Sequence, residues 1–281
     1  MRIPAVLSAA TAAAVHLNHT LYSPVLGSPR VAATVSGSGP AVLLLNGFGA
    51  AGTVWPHQVI ELAGHTVLRV DARGTGRSRD LSTAYTIATL ADDARSAMLD
   101  HGISSAVVVG WSLGGMVAQE LALRYPEGVS KLILVGSVPP VPEMRLPMTR
   151  TPVLMARLAI PSTSARWQRG VWALGGPGAA HEHPEAMREF AVQLAAAGLS
   201  WWGPMLQSAA ATTWRDPGRL SRITAPTTIL HGTDDPVVPV SNARTLARLI
   251  PGARLTALPG VGHLVPYEAT SSLIEEITHD R

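Results

Sequence analysis

Six short apolar runs recur along the chain. They are Ala41–Asn46 (AVLLLN), Thr66–Asp71 (TVLRVD), Ala106–Gly110 (AVVVG), Leu132–Gly136 (LILVG), Thr227–His231 (TTILH) and Leu255–Leu258 (LTAL). Several are continuous rather than alternating, the pattern of strands buried on both faces of a parallel sheet. Between them, Thr86–His101 and Leu113–Tyr125 read as helices, the second stopped by Pro126. This alternation predicts an α/β fold, a mostly parallel central sheet flanked by helices. Ahead of it, Val31–Val35, closed by Gly37-Ser38-Gly39-Pro40, predicts an antiparallel edge strand in a hairpin.

The alternation lapses over residues 138–218. That stretch opens with VPPVPEMRLP and holds five of the seven tryptophans: Trp167, Trp172, Trp201, Trp202 and Trp214. It reads as a helical insertion between two strands. The predicted organisation is an extension over 1–24, a core over 25–137 and 219–281, and the insertion over 138–218. Inside the insertion lie Arg145, Arg150, Arg157, Arg166 and Arg169 with no acid among them, and Leu154, Met155 and Leu158 at helical spacing. A basic amphipathic helix of this kind suits peripheral contact with a lipid or polymer surface. The plainer reading is a solvated face.

Composition narrows the choice. With 281 residues, 47% of them hydrophobic and 15% charged, the chain can bury a large core and is not a disordered one. There is no cysteine, which excludes a disulfide scaffold, thiolate metal ligation and a Cys nucleophile. The net charge is +3, Lys131 is the sole lysine, and arginine is dispersed, so nothing points to a nucleic-acid partner. No apolar run reaches the roughly 18–20 residues of a membrane-spanning helix. Over Ile3–Val15 a secretory signal competes with a plain extension. One basic residue (Arg2), Pro4, and Ser8 and Thr11 inside the run favour the extension, and with it a cytoplasmic protein.

The chemistry concentrates at strand ends. Gly110-Trp111-Ser112-Leu113-Gly114 fits G-x-S-x-G between a buried strand and a helix, the setting of a nucleophile elbow, and Ser112 is the expected nucleophile. The Leu113 N–H, unpaired at the helix start, would face the reacting carbonyl. A serine nucleophile needs a base and the base an orienting acid. His263, in Gly260-Val261-Gly262-His263 after the last strand, is the expected base. In His231-Gly232-Thr233-Asp234-Asp235-Pro236 two aspartates compete for the acid; Asp235 is preferred and Asp234 is the alternative. Asn46-Gly47-Phe48-Gly49 follows the first central strand and offers the Phe48 N–H as second oxyanion donor. Asn46, Gly47, Trp111, Trp201 and Trp202 are the candidates for the substrate pocket. His181-Glu182-His183 lacks the spacing of a metal-binding helix, and no metal site is expected.

These motifs, with Asp71-Ala72-Arg73-Gly74-Thr75-Gly76-Arg77-Ser78, resemble the α/β-hydrolase superfamily over roughly residues 25–281. The resemblance implies a helical cap where the insertion lies, and neither metal nor organic cofactor. One departure is Asn46-Gly47, where many relatives have His-Gly. It is similar to the medium-chain polyhydroxyalkanoate depolymerase branch, as are Ala195–Gln207 and Asn242–Arg254. The expected activity is a serine hydrolase of small-molecule or polymeric carboxylic esters with apolar acyl chains. Depolymerase, thioesterase, cofactor-free perhydrolase and carbon–carbon hydrolase chemistry stay open on the same residues. So does a ligand-holding protein without turnover.

Overall fold

The computed structural model describes residues 31–81, 83–147, 170–197, 200 and 202–279. These place seven strands in one sheet: β1 (Ala33–Gly37), β2 (Ala41–Leu45), β3 (Thr66–Val70), β4 (Ala106–Trp111), β5 (Val129–Val135), β6 (Thr227–Gly232) and β7 (Arg254–Leu258). Their order is β1-β3-β2-β4-β5-β6-β7, parallel throughout except where β1 runs against β3. The helices are α1 (His57–Ile60), α2 (Ile87–Asp100), α3 (Leu113–Arg124), α4 (Ala179–Glu182), α5 (Pro184–Ala196), α6 (Gly203–Thr213), α7 (Ser241–Leu249), α8 (Val265–Glu268) and α9 (Thr270–Thr278). The mostly parallel α/β sheet expected from the alternation is therefore present.

The hairpin expected at the start is not. β1 is antiparallel and lies at the edge, but β3 sits between it and β2. The Gly37–Pro40 turn crosses the end of β3 instead of joining paired neighbours. Its glycines permit this: a Cβ on Gly37 (φ +73°) would stand 2.2 Å from the His65 carbonyl oxygen.

Continuous apolar runs became strands covered on both sides. All six residues of β6 are buried, and Leu132–Val135 of β5 have no exposed surface. α2 starts at Thr86, whose hydroxyl and amide exchange hydrogen bonds with Thr89 in a capping box. α3 is buried from Leu113 to Ala122, as expected of a helix pressed between the sheet and its neighbours, and ends before Pro126.

Between β5 and β6 the described residues hold α4, α5 and α6, and a bridge joins Val141 to Arg215. The 1–24 extension, Trp167, Trp201 and the arginines at 150, 157, 166 and 169 lie outside the described residues. The Asp71–Ser78 motif seats this insertion on the core. Asp71 accepts from the Gly52 amide (2.7 Å) and from the Arg77 amide (3.0 Å) and Nε (3.2 Å). The Gly76 amide donates to the Ala197 carbonyl (2.9 Å), and Ser200 Oγ donates to the Gly74 carbonyl (3.0 Å). Arg73 forms two parallel bonds with Asp93 (2.6 and 2.7 Å), which hold its guanidinium above the ordinary arginine value.

Candidate active site

β4 delivers Ser112 and α3 carries it away. Ser112 has φ +55° and ψ −117°; among the described residues only Asp216 shares a positive φ without being glycine. A side chain is held in this strained geometry only when its surroundings over-determine it. Here the Ser112 amide donates to the Val135 carbonyl (2.8 Å), and the Ser112 carbonyl accepts from Gly115 N (2.9 Å) and Ser137 Oγ (2.9 Å). Gly114 is needed for the close approach, since a Cβ there would lie 2.1 Å from the Leu45 carbonyl oxygen. Ser112 is half-buried and does not cap α3, so its hydroxyl is not committed to the helix. Ser112 Oγ makes no hydrogen bond among the described residues.

The two aspartates after β6 separate cleanly. The Asp235 side chain is fully buried, and its Oδ2 lies 2.7 Å from His263 Nδ1. Its Oδ1 accepts from the Val237 (2.8 Å) and Val238 (2.7 Å) amides. Asp234 is exposed and serves the loop, accepting from Thr233 Oγ1 and the Gly260 amide. A carboxylate at Nδ1 keeps the proton there and leaves Nε2 free to accept one.

The histidine loop is anchored through the backbone of residues 262–264. His263 N donates to the Leu174 carbonyl (2.8 Å), and its carbonyl accepts from Trp111 Nε1 (3.0 Å). Buried Glu268 on α8 accepts from the Gly262 (3.0 Å), Leu264 (3.1 Å) and Gly176 (2.7 Å) amides. It thus ties the residues either side of His263 to the insertion. Gly136 after β5 floors the pair: a Cβ there would stand 3.3 Å from His263 Nδ1 and 3.6 Å from Asp235 Oδ2. Through Val135, Gly136 and Ser137 the serine and the His–Asp pair meet at one strand end. Sequence reasoning missed Glu268 and Gly136. A lone acid in the apolar run after His263 was the available signal for the first.

In the candidate oxyanion loop, Gly47 lies against Ser112, its Cβ position 3.5 Å from Ser112 Cβ. The Phe48 and Leu113 amides make no hydrogen bond among the described residues, while the Gly49 amide donates to Gln207 Oε1 (2.8 Å). Two pocket candidates have other tasks. Asn46 is buried, donating to the Val70 carbonyl (2.7 Å) and accepting from Trp55 Nε1 (2.7 Å), so it braces the loop. Trp111 is buried against Trp55, Phe190 and the His263 ring, so it supports the histidine. Trp202 is half-buried at the start of α6, and Trp201 lies outside the described residues. A cavity of about 590 Å³ between the insertion and the core is lined by Glu182, His183, Glu189 and Tyr267, without Ser112 or His263.

A strained serine at a strand-to-helix turn, with a buried His–Asp pair beside it, is the architecture the α/β-hydrolase resemblance implied. A profile of the Alpha/beta hydrolase family matches residues 42–274. The chain belongs to that family. It is 31% identical to a rhodomycin D methylesterase from Streptomyces peucetius over 88% of this chain and 90% of the relative. It is 31% identical to a pimeloyl-[acyl-carrier protein] methyl ester esterase from Vibrio vulnificus over 77% and 84%. Among solved structures it is similar to a thermophilic esterase from Thermogutta terrifontis (TM-score 0.70, 26% identity, 92% and 96% covered). The esterase-type enzyme expected from the motifs is thus met at the level of the family.

His231 on β6 is fully buried, 3.7 Å from Asp235 Oδ2, with its Nε2 2.8 Å from the Val238 carbonyl. Burial, more than Asp235, sets its pKa, which falls below the ordinary histidine value. The unfolded chain therefore binds a proton at this residue before the folded one does. Stability from His231 is complete above about pH 6.5 and declines as pH falls below it. Urea denaturation at pH 7.5 and 5.5 is expected to show a smaller acid loss in His231→Gln than in the wild type. Equal losses in both would refute this account.

Proposed function

We propose that the chain is a serine hydrolase of carboxylic esters with apolar acyl groups, acting through an acyl-enzyme. The observation that carries this reading is the buried His263–Asp235 pair beside the strained Ser112. Ser112 Oγ attacks the ester carbonyl while His263 Nε2 takes its proton; Asp235 holds the ring and balances the imidazolium. The Phe48 and Leu113 amides, which make no hydrogen bond among the described residues, stabilise the oxyanion. His263 then protonates the departing alcohol, and in the second half it activates the water that releases the acid. The insertion acts as a cap, and its anchorage to the His263 loop through Glu268 and Leu174 supports a closed site.

Two relatives are named for methyl esters, which supports a small alcohol leaving group. The test is a series of methyl and p-nitrophenyl esters from acetate to palmitate. Turnover peaking at medium acyl chains is expected. No turnover and no burst at any chain length would overturn the ester reading.

A further inference from the structure

Gln207 is the one long polar side chain in α6, whose sequence is GPMLQSAAATT, and it has no exposed surface. Its orientation is fixed by chemistry. The Gly49 amide can only donate, so the atom 2.8 Å away is the carbonyl Oε1. The other end of the same planar carboxamide, Nε2, is shielded from solvent and has no hydrogen-bond partner among the described residues. A buried donor left unpaired loses its bonds to water without replacement, which disfavours the arrangement. Holding Gly49 requires only an acceptor, so the anchor does not account for the NH2 group. Gly49 follows Phe48, the proposed oxyanion donor, and both Gln207 Nε2 and the Phe48 amide therefore lie at the same loop.

We infer that Gln207 Nε2 is a substrate-binding donor, and that the enzyme's substrates carry a second acceptor oxygen beside the scissile carbonyl, as in 3-oxoacyl and 3-hydroxyacyl esters. Such an acyl group presents two oxygens along one edge. The scissile oxygen goes to the Phe48 and Leu113 amides and the 3-oxygen to Gln207 Nε2. Substrate entering under the cap supplies the partner that the closed protein lacks. A plain alkyl ester leaves the donor unpaired, and a site built to bond an oxygen discriminates against analogues without it. This rests on the ester-hydrolase reading and narrows it.

The test measures kcat/KM by pH-stat for methyl 3-oxooctanoate and methyl octanoate in the wild type, Gln207→Glu and Gln207→Met. Glutamate keeps an acceptor for Gly49 and removes the NH2; methionine removes both. Loop anchoring cancels in the ratio of the two esters within each protein, and their difference in intrinsic reactivity cancels when that ratio is compared between proteins. That ratio is expected to fall at least tenfold in both variants. A ratio unchanged in both, or lowered only in Gln207→Met, overturns the inference, because the donor then contributes nothing. If the wild type hydrolyses neither ester, the ester reading fails separately. Calorimetric binding of 3-oxooctanoate against octanoate to the same three proteins then decides. Tighter binding of the 3-oxo acid that both variants lose upholds the donor; equal binding of the two acids by the wild type overturns it.

Discussion

Ser112→Ala is expected to lower kcat by about 10⁴–10⁶-fold on any ester the protein hydrolyses, since removing the nucleophile of such a set leaves only binding and oxyanion stabilisation. The loss should not come from unfolding. Alanine keeps the Cβ, and the hydrogen bonds that fix the turn come from the Ser112 amide and carbonyl, not from its hydroxyl. Ser112→Gly separates strain from chemistry. The φ of +55° with ψ −117° is a conformation glycine adopts freely and other residues hold at a cost of about 1–3 kcal/mol. Glycine loses roughly 0.5–1 kcal/mol of this gain through its freer unfolded chain. The net expectation is an inactive Ser112→Gly protein melting about 2 °C above Ser112→Ala. Near-wild-type turnover in Ser112→Ala would exclude Ser112 as the nucleophile. A Ser112→Gly protein that melts below Ser112→Ala, by the roughly 0.5–1 kcal/mol that glycine's chain entropy alone costs, would show that the elbow stores no strain.

Much of the candidate site was legible because its residues stand in contiguous motifs. The elbow needs glycines at 110 and 114, and the chain shows them around Ser112 between an apolar run and a helix. His263 and the Asp234-Asp235 pair announce themselves by following strands. Choosing between the two acids needed burial, which sequence proximity hides: one carboxylate points inward to the imidazole and its neighbour outward to Gly260. The edge strand was recognisable but its partner was not. Pairing depends on how the chain crosses between strands, and a Gly-rich turn reads alike whether it closes a hairpin or steps over β3. Asn46 and Trp111 looked like pocket residues because they flank the nucleophile in sequence. Both polar ends of Asn46 and the indole N–H of Trp111 are instead engaged within the protein, bracing the loop that starts at Asn46 and the backbone of His263. Glu268 and Gln207 act across separations of 92 and 158 residues, a relation no local pattern carries.

Asp235→Asn is expected to cost about 10⁴-fold in kcat while Asp234→Asn stays within about twofold of the wild type. The Asp235 carboxylate accepts three hydrogen bonds in a fully buried position: from His263 Nδ1–H and from the Val237 and Val238 amides. A carboxamide has one oxygen to offer. If that oxygen stays with the two backbone amides, the NH2 faces His263 Nδ1 and forces the ring proton onto Nε2. The imidazole then has no lone pair for the Ser112 proton, and the reaction stops at its first step. If the carboxamide turns over, two buried amides lose their acceptor, at about 1–3 kcal/mol each. The first arrangement leaves more bonds intact, so the loss should fall on kcat with KM little changed and with folding cooperative. Asp234 has no such demands, being exposed and bonded to Thr233 and Gly260 at the loop surface. Kinetics of both variants on one medium-chain methyl ester, with melting curves in parallel, decide the matter. If Asp234→Asn were the inactive one, the acid would be assigned to the wrong residue. If neither lost activity, His263 would act without an orienting carboxylate, and the buried Asp235 would serve only to hold its own loop.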